Sequence, residues 1–112
     1  MFLVNMIKML YLMMDNLTNS HLVKVGYSDG TKNLAKRRKS YYSHNPKAIM
    51  RSTCAGSRDM ENSCHLTLSE LGNRISGTEW FEVSADLFNS LCTAGMAFFR
   101  PNHKPIRFFE EF

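Results

Sequence analysis

Residues 9–14 form an unbroken apolar run, Met-Leu-Tyr-Leu-Met-Met, of strand-compatible side chains, and it predicts a buried strand. Residues 15–20 are Asp, Asn, Leu, Thr, Asn and Ser, the chemistry of a turn. Beyond them Val23, Lys24 and Val25 alternate with a period of two inside residues 22–27, so the two runs predict an antiparallel hairpin. Ser28, Asp29 and Gly30 break it. Thr31 is placed to cap a helix on which Leu34, Arg37 or Arg38, and Tyr41 share helical spacing, and Pro46 stops that region because it lacks a backbone donor. Residues 48–54 predict a third strand, with Ile49 and Thr53 on one side and Met50 and Ser52 on the other. Met60, Cys64, Leu68 and Leu71 recur as one helix face, starting near Ser57 or Asp59 and stopping at Gly72.

Residues 77–83 predict a turn into a short strand. Ser84 then caps a third helix that carries Leu87, Leu91, Ala94 and Phe98. From Arg100 a tail with Pro101, Pro105, Phe108, Phe109 and Phe112 is expected to run extended and to pack on the domain. The order β-β-α-β-α-β-α favours an α+β fold: a small antiparallel sheet, built from the N-terminal hairpin and further strands, flanked by helices. Residues 1–99 are expected to be one domain and residues 100–112 its tail.

Length and composition narrow this further. A chain of 112 residues holds one core and no second domain, and 44% hydrophobic residues exclude wholesale disorder. Cys54, Cys64 and Cys92 are odd in number and contain no C-x-x-C pair, which excludes a disulfide scaffold and a zinc ribbon. Apolar character reaches back from Met14 to Met1, but Asn5 and Lys8 interrupt it and it falls short of the roughly 20 residues of a spanning helix. No small-residue cleavage site follows it. The expectation is a buried strand behind a short leader in an intracellular protein of cytoplasm or nucleus, neither secreted nor membrane-bound.

Charge changes the picture more. The formal net charge is +4. Lys32, Lys36, Arg37, Arg38, Lys39, Lys47, Arg51 and Arg58 all fall within residues 30–58, which contain no acid, and the remainder of the chain is net acidic. Positive charge concentrated in this way attracts polyanions.

Several short motifs carry a resemblance. Leu10-Tyr11 in the first strand and Val25-Gly26 in the second resemble the paired strands of the GIY-YIG nuclease superfamily. Residues 36–41 resemble its first helix, where an arginine is followed four residues later by His or Tyr. Val23-Lys24-Val25-Gly26-Tyr27, Glu61 with His65, and Gly77-Thr78-Glu79-Trp80-Phe81 are similar to a phage-type branch described as DNA-binding and related to meiotically up-regulated proteins. The resemblance spans about residues 9–83. Met9 stands where the first motif has glycine, Lys24 where the second has tyrosine, and Asn73 is the nearest match to the family's late asparagine.

The resemblance implies a metal-dependent DNA endonuclease using Mg²⁺ or Mn²⁺, with a non-catalytic DNA-binding module on the same fold as the alternative. It makes Glu61 the metal ligand and Tyr11 the group that takes a proton from water. An unperturbed phenol titrates near pH 10, so that role requires positive charge nearby, which Lys24 is placed to supply. Arg37 suits a phosphate oxygen because a guanidinium is planar and always charged; Arg38 is the other candidate, and Tyr41, four residues after Arg37, favours the first. Tyr41 and Tyr27 are candidate donors to phosphate or water. His65, one turn after Glu61, is either a proton-transfer group or a packing histidine. Lys32, Lys36, Arg38 and Lys39, with Tyr27, form the expected DNA contact. Cys54, Cys64 and His65 lack the spacing and fourth ligand of a zinc site. Outside this resemblance, the basic helix is equally the solvated face of a protein-interaction domain.

Overall fold

The computed structural model describes residues 7–15, 20–44, 48–100 and 110–111. Strands β1 (Met9–Asp15) and β2 (His21–Ser28) lead to helix α1 (Thr31–His44), strand β3 (Ile49–Ala55) and helix α2 (Arg58–Leu71). A two-residue strand β4 (Asn73–Arg74), strand β5 (Phe81–Val83), helix α3 (Ala85–Ala94), a 3-10 turn (Gly95–Phe99) and a two-residue strand β6 (Glu110–Glu111) follow. All pairings are antiparallel, in the order β4-β5-β2-β1-β3-β6. The fold is therefore α+β with an open antiparallel sheet and flanking helices. The expected turn at residues 16–19, the stop at Pro46 and most of the tail beyond Arg100 lie outside the described residues.

β1 is the strand that both faces depend on. Every one of its residues is buried, which explains why it reads as an unbroken apolar run rather than as an alternation. One face packs Leu10, Leu12, Met14, Val23, Val25, Tyr27, Cys54 and Phe81 against Cys64 and Leu68 of α2 and Phe88 and Leu91 of α3. On the opposite face Met9, Tyr11, Met13 and Met50 meet Leu34 of α1, with Tyr41 and Trp80 half-buried at the margin. Only Leu34 is buried among the described side chains of α1, so this helix covers its face thinly.

Local signals set most boundaries. Ser57 Oγ accepts from the Met60 amide at 3.3 Å and Ser84 Oγ from the Leu87 amide at 3.1 Å, so both serines cap helices as their sequence positions suggest. α1 starts one residue earlier than its expected cap: Gly30, at φ 135, supplies the carbonyl that accepts from the Leu34 amide. The expected sides of β3 are corrected by a bulge. Leu12 pairs with Ser52 and Met13 with Met50, which skips Arg51 and puts Met50 and Thr53 on one face. α2 is also rotated from its expected face: Cys64 and Leu68 are buried, but Met60 and Leu71 are about half exposed and Glu61 takes an inward position. The third helix ends at Ala94 rather than running on to Phe98, and Phe88 with Leu91 supplies its buried face.

Tyr11 pairs with Gly26 across β1 and β2. Its ring lies over the Gly26 Cα, and a Cβ built there would come within 2.2 Å of the phenol carbon Cζ. Gly26 does not lie in the left-handed region, so only the ring excludes a side chain. Gly26→Ala is expected to cost about 1–3 kcal/mol, the usual range for overpacking. In a Tyr11→Ala background the same change is expected to be neutral or stabilising, because alanine loses less backbone entropy than glycine. Urea unfolding of the two single variants and the double checks this. Equal costs in both backgrounds would mean that the ring does not set the residue at 26.

Candidate functional site

The thinly covered face carries the polar chemistry. Tyr11 is sealed beneath α1, and its hydroxyl lies 3.2 Å from that of Tyr41. The two rings are tilted by 54°, with centroids 6.2 Å apart. Lys24 projects to the same face two residues before Gly26, with its ammonium 5.7 Å from the centre of the Tyr41 ring. Arg37 is exposed on α1, one turn before Tyr41, and its charge acts on the Tyr11 phenol. Four of the residues selected from the sequence, Tyr11, Lys24, Arg37 and Tyr41, thus converge.

Burial pushes the Tyr11 phenol above its ordinary pKa, the Tyr41 hydroxyl adds to the effect, and Arg37 partly offsets it. Burial thus outweighs the nearby positive charge that the expected proton-accepting role of Tyr11 calls for. At neutral pH Tyr11 is a hydroxyl donor. The Tyr11 and Tyr41 hydroxyls share one hydrogen bond, which uses one of their two protons and leaves the other to donate to a ligand.

Lys24 has only 10% of its side chain exposed, and a buried ammonium needs an anion. Glu79 provides it, with Lys24 Nζ 2.7 Å from Oε1. The Lys24 hydrogen bond holds the Glu79 carboxyl below its ordinary pKa, against partial burial, and His65 and Arg74 pull in the same direction. Glu79 belongs to the Gly77–Phe81 motif but was not among the residues selected from it. The available signal was Lys24 itself, a cation in a strand too apolar to leave it without a counter-charge.

β5 pairs only with residues 21–23 of β2, which leaves the edge of β2 beyond Val23 without a strand partner from β5. His65 reaches this edge: its Nε2 lies 2.7 Å from the Val25 carbonyl oxygen. A carbonyl only accepts, so Nε2 carries a proton. Glu61, one turn earlier, is nearly buried, with Arg58 Nη1 at 3.8 Å and His65 Nε2 at 4.0 Å. Both distances exceed a hydrogen bond, so its oxygens keep acceptor capacity. Glu61 and His65 therefore sit together on α2 at the edge of β2, and among the described residues the structure gives neither a contact with Tyr11, Arg37 or Tyr41.

A lone carboxylate in this state fits Mg²⁺ or Mn²⁺, which takes one or two protein carboxylates and completes its shell with water and phosphate. Among the described residues no group of three His, Cys, Asp or Glu side chains could hold an ion. Burial pushes Cys54 up to about 11 and Cys64 up to about 12, so both are protonated thiols and poor ligands or nucleophiles. All three cysteines are free.

Other residues fall elsewhere. Tyr27 is buried on the opposite face, with the Arg58 guanidinium 4.5 Å from its ring centre, so it does not join Tyr11. Asn73 is exposed in β4. Lys32, Lys36, Arg38 and Lys39 are exposed along α1. No helix among the described residues is long and apolar enough to cross a membrane.

A family model described as the T5orf172 domain matches residues 8–93, well over half of the chain. No curated protein and no solved structure matches. The match corrects the GIY-YIG resemblance, because T5orf172 is a different family. The motifs behind that resemblance are two to six residues long, and packing accounts for one of them, since Gly26 leaves room for the Tyr11 ring. The match indicates a phage-like, DNA-related domain.

The raised Tyr11, Cys54 and Cys64 values predict a stability that depends on alkaline pH. The unfolded thiols ionise near 9.0 and the unfolded phenol near 10.0, while the native groups keep their protons. Their contribution is complete below pH 9 and is lost as pH rises through the native values, because the unfolded state releases protons first. The urea midpoint is expected to fall steadily above pH 9, and less steeply above pH 10 in Tyr11→Phe. A Tyr11→Phe profile parallel to the wild type would place the phenol in water.

Proposed function

The chain belongs to the T5orf172 domain family, and on that premise we propose that it is a metal-dependent DNA endonuclease that hydrolyses a phosphodiester bond on the α1 face of the sheet. The observation that carries this reading is the convergence of Tyr11, Lys24, Arg37 and Tyr41 under a helix whose exposed face is basic. α1 lies within residues 30–58, which hold no acid, so it offers the duplex a positive surface whose affinity rests on counterion release.

The chemistry follows from the side chains. Phosphodiester hydrolysis accumulates negative charge on the non-bridging oxygens. Lys24 and Arg37 place two cations beside one pair of hydroxyls, and preorganised charge in a partly water-excluded site stabilises that build-up. Arg37 contributes a planar, two-pronged donor and Lys24 a point charge. The spare hydroxyl proton of the Tyr11–Tyr41 pair donates to a phosphate oxygen or orients the attacking water. Glu61 would hold Mg²⁺ or Mn²⁺, which when bound lowers the pKa of water and neutralises phosphate charge. His65 fixes the edge of β2 through Val25 and keeps its ring beside Glu61.

The test is single-turnover cleavage of supercoiled plasmid with Mg²⁺ or Mn²⁺, with EDTA as the control. Wild type is expected to nick the plasmid only with metal. Arg37→Ala is expected to slow cleavage by on the order of a hundredfold, about 3 kcal/mol. Tyr11→Phe is expected to lose most activity, and the double variant to be scarcely worse than either single, as for groups acting on one transition state. Glu61→Gln is expected to abolish cleavage with binding retained. Salt-dependent DNA binding without cleavage under any metal would select the non-catalytic DNA-binding module instead.

A further inference from the structure

Beneath the hairpin that joins β4 to β5 lies an open polar cavity of about 540 Å³, lined by Lys24, Arg74, Gly77, Thr78, Glu79 and Trp80. We propose that this cavity is a subsite for a DNA backbone phosphate, and that Glu79 occupies it in the free protein as a carboxylate stand-in. The inference rests on the reading of the protein as acting on DNA, and it adds a second phosphate position beside the Tyr11 face together with the group that guards it.

Three observations carry it. The first is the charge around Glu79: its carboxylate bonds Lys24 at 2.7 Å and Arg74 lines the same cavity, so two cations face one acid. An anion with more oxygens and no covalent tether is what such a cluster would hold if the acid left. The second is an asymmetry of burial. The Lys24 side chain is 10% exposed and Glu79 is 48% exposed, so the cation is fixed while its partner reaches water and can give way when another anion takes its place.

The third is the stiffness of the hairpin. The Ile75 amide donates to the Trp80 carbonyl at 2.9 Å, Thr78 Oγ1 donates to the Ile75 carbonyl at 2.9 Å and accepts from the Trp80 amide at 3.1 Å, and Arg74 Nε donates to the Thr78 carbonyl at 2.8 Å. Glu79 can therefore leave by side-chain rotation over a fixed backbone. At the tip, Gly77 has φ +77, and a Cβ placed there would meet nothing within 4 Å. When a phosphate enters, its oxygens replace the carboxylate on Lys24 and gain Arg74, and Glu79 turns to solvent. Glu79 thereby lowers affinity for anions that cannot engage both cations.

The experiment is DNA binding by fluorescence anisotropy on a labelled short duplex in EDTA, so that cleavage does not intervene. Glu79→Gln keeps an acceptor for Lys24 and removes the competing charge. It is expected to tighten binding by on the order of fivefold, the scale of one partly exposed ion pair. Glu82→Gln, which removes the same charge from the exposed side of β5 without touching Lys24, controls for bulk electrostatics and is expected to change affinity by less than about twofold. In a Lys24→Met background the Glu79→Gln gain is expected to vanish. Unchanged or weaker binding by Glu79→Gln, an equal gain from Glu82→Gln, or a gain that survives Lys24→Met overturns the subsite. Wild-type protein with no salt-dependent DNA binding overturns the functional reading and the subsite together, whereas normal wild-type binding with no Glu79→Gln effect overturns the subsite alone.

Discussion

Lys24 stands in the middle of a sheet with its ammonium almost sealed from solvent, and a buried cation requires an anion. That requirement ties the second strand to a hairpin 55 residues further along the chain, where Glu79 supplies the carboxylate. It also orients the lysine under the Tyr41 ring, next to the hydroxyl pair that Tyr41 forms with Tyr11. Tyr11 in turn has room only because its neighbour across the ladder is Gly26. Packing, charge and hydrogen bonding on this face are therefore one set of mutual constraints, with the lysine at its centre.

The two faces of the sheet divide the work. The face under α2 and α3 holds most of the apolar core, including the buried thiols, and gives the sheet its rigidity. The face under α1 is closed by a single buried leucine and a half-buried tyrosine on a helix that is otherwise exposed among its described side chains. Because β5 is only three residues long, the edge of β2 past Val23 lies beyond β5, and His65 of α2, beside Glu61, bonds the Val25 carbonyl there. A short strand thus lets groups from opposite sides of a sheet act on one region.

Much of this was legible in the sequence where the signal is local. The run at residues 9–14 and the alternation at Val23–Val25 gave the central hairpin, and Ser57 and Ser84 marked two helix starts because a capping hydroxyl acts within three residues. Tyr11, Lys24, Arg37 and Tyr41 were selected together and meet. What was not legible depends on distant pairing. The bulge at Arg51 has no local signature, and β4 exists only because β5 lies beside it. The rotation of α2 buries Glu61 and leaves Met60 about half exposed, and which face a helix turns inward depends on the sheet it packs against. Glu79 went unselected because its partner lies across the fold. The same holds for the family: short motifs record local geometry, while the T5orf172 match extends over residues 8–93.

A DNA phosphate seated on the α1 face, against Lys24, Arg37 and the tyrosine pair, perturbs the nuclei of those residues first. The most direct measurement is amide and side-chain NMR of the labelled protein titrated with a short duplex in EDTA at low salt. The largest shifts are expected at Lys24, Gly26, Arg37, Tyr41 and Thr78, with Leu68, Leu91 and Met96 on the opposite face unchanged. Shifts centred on α2 and α3, or none beyond the exposed lysines of α1, would contradict the account.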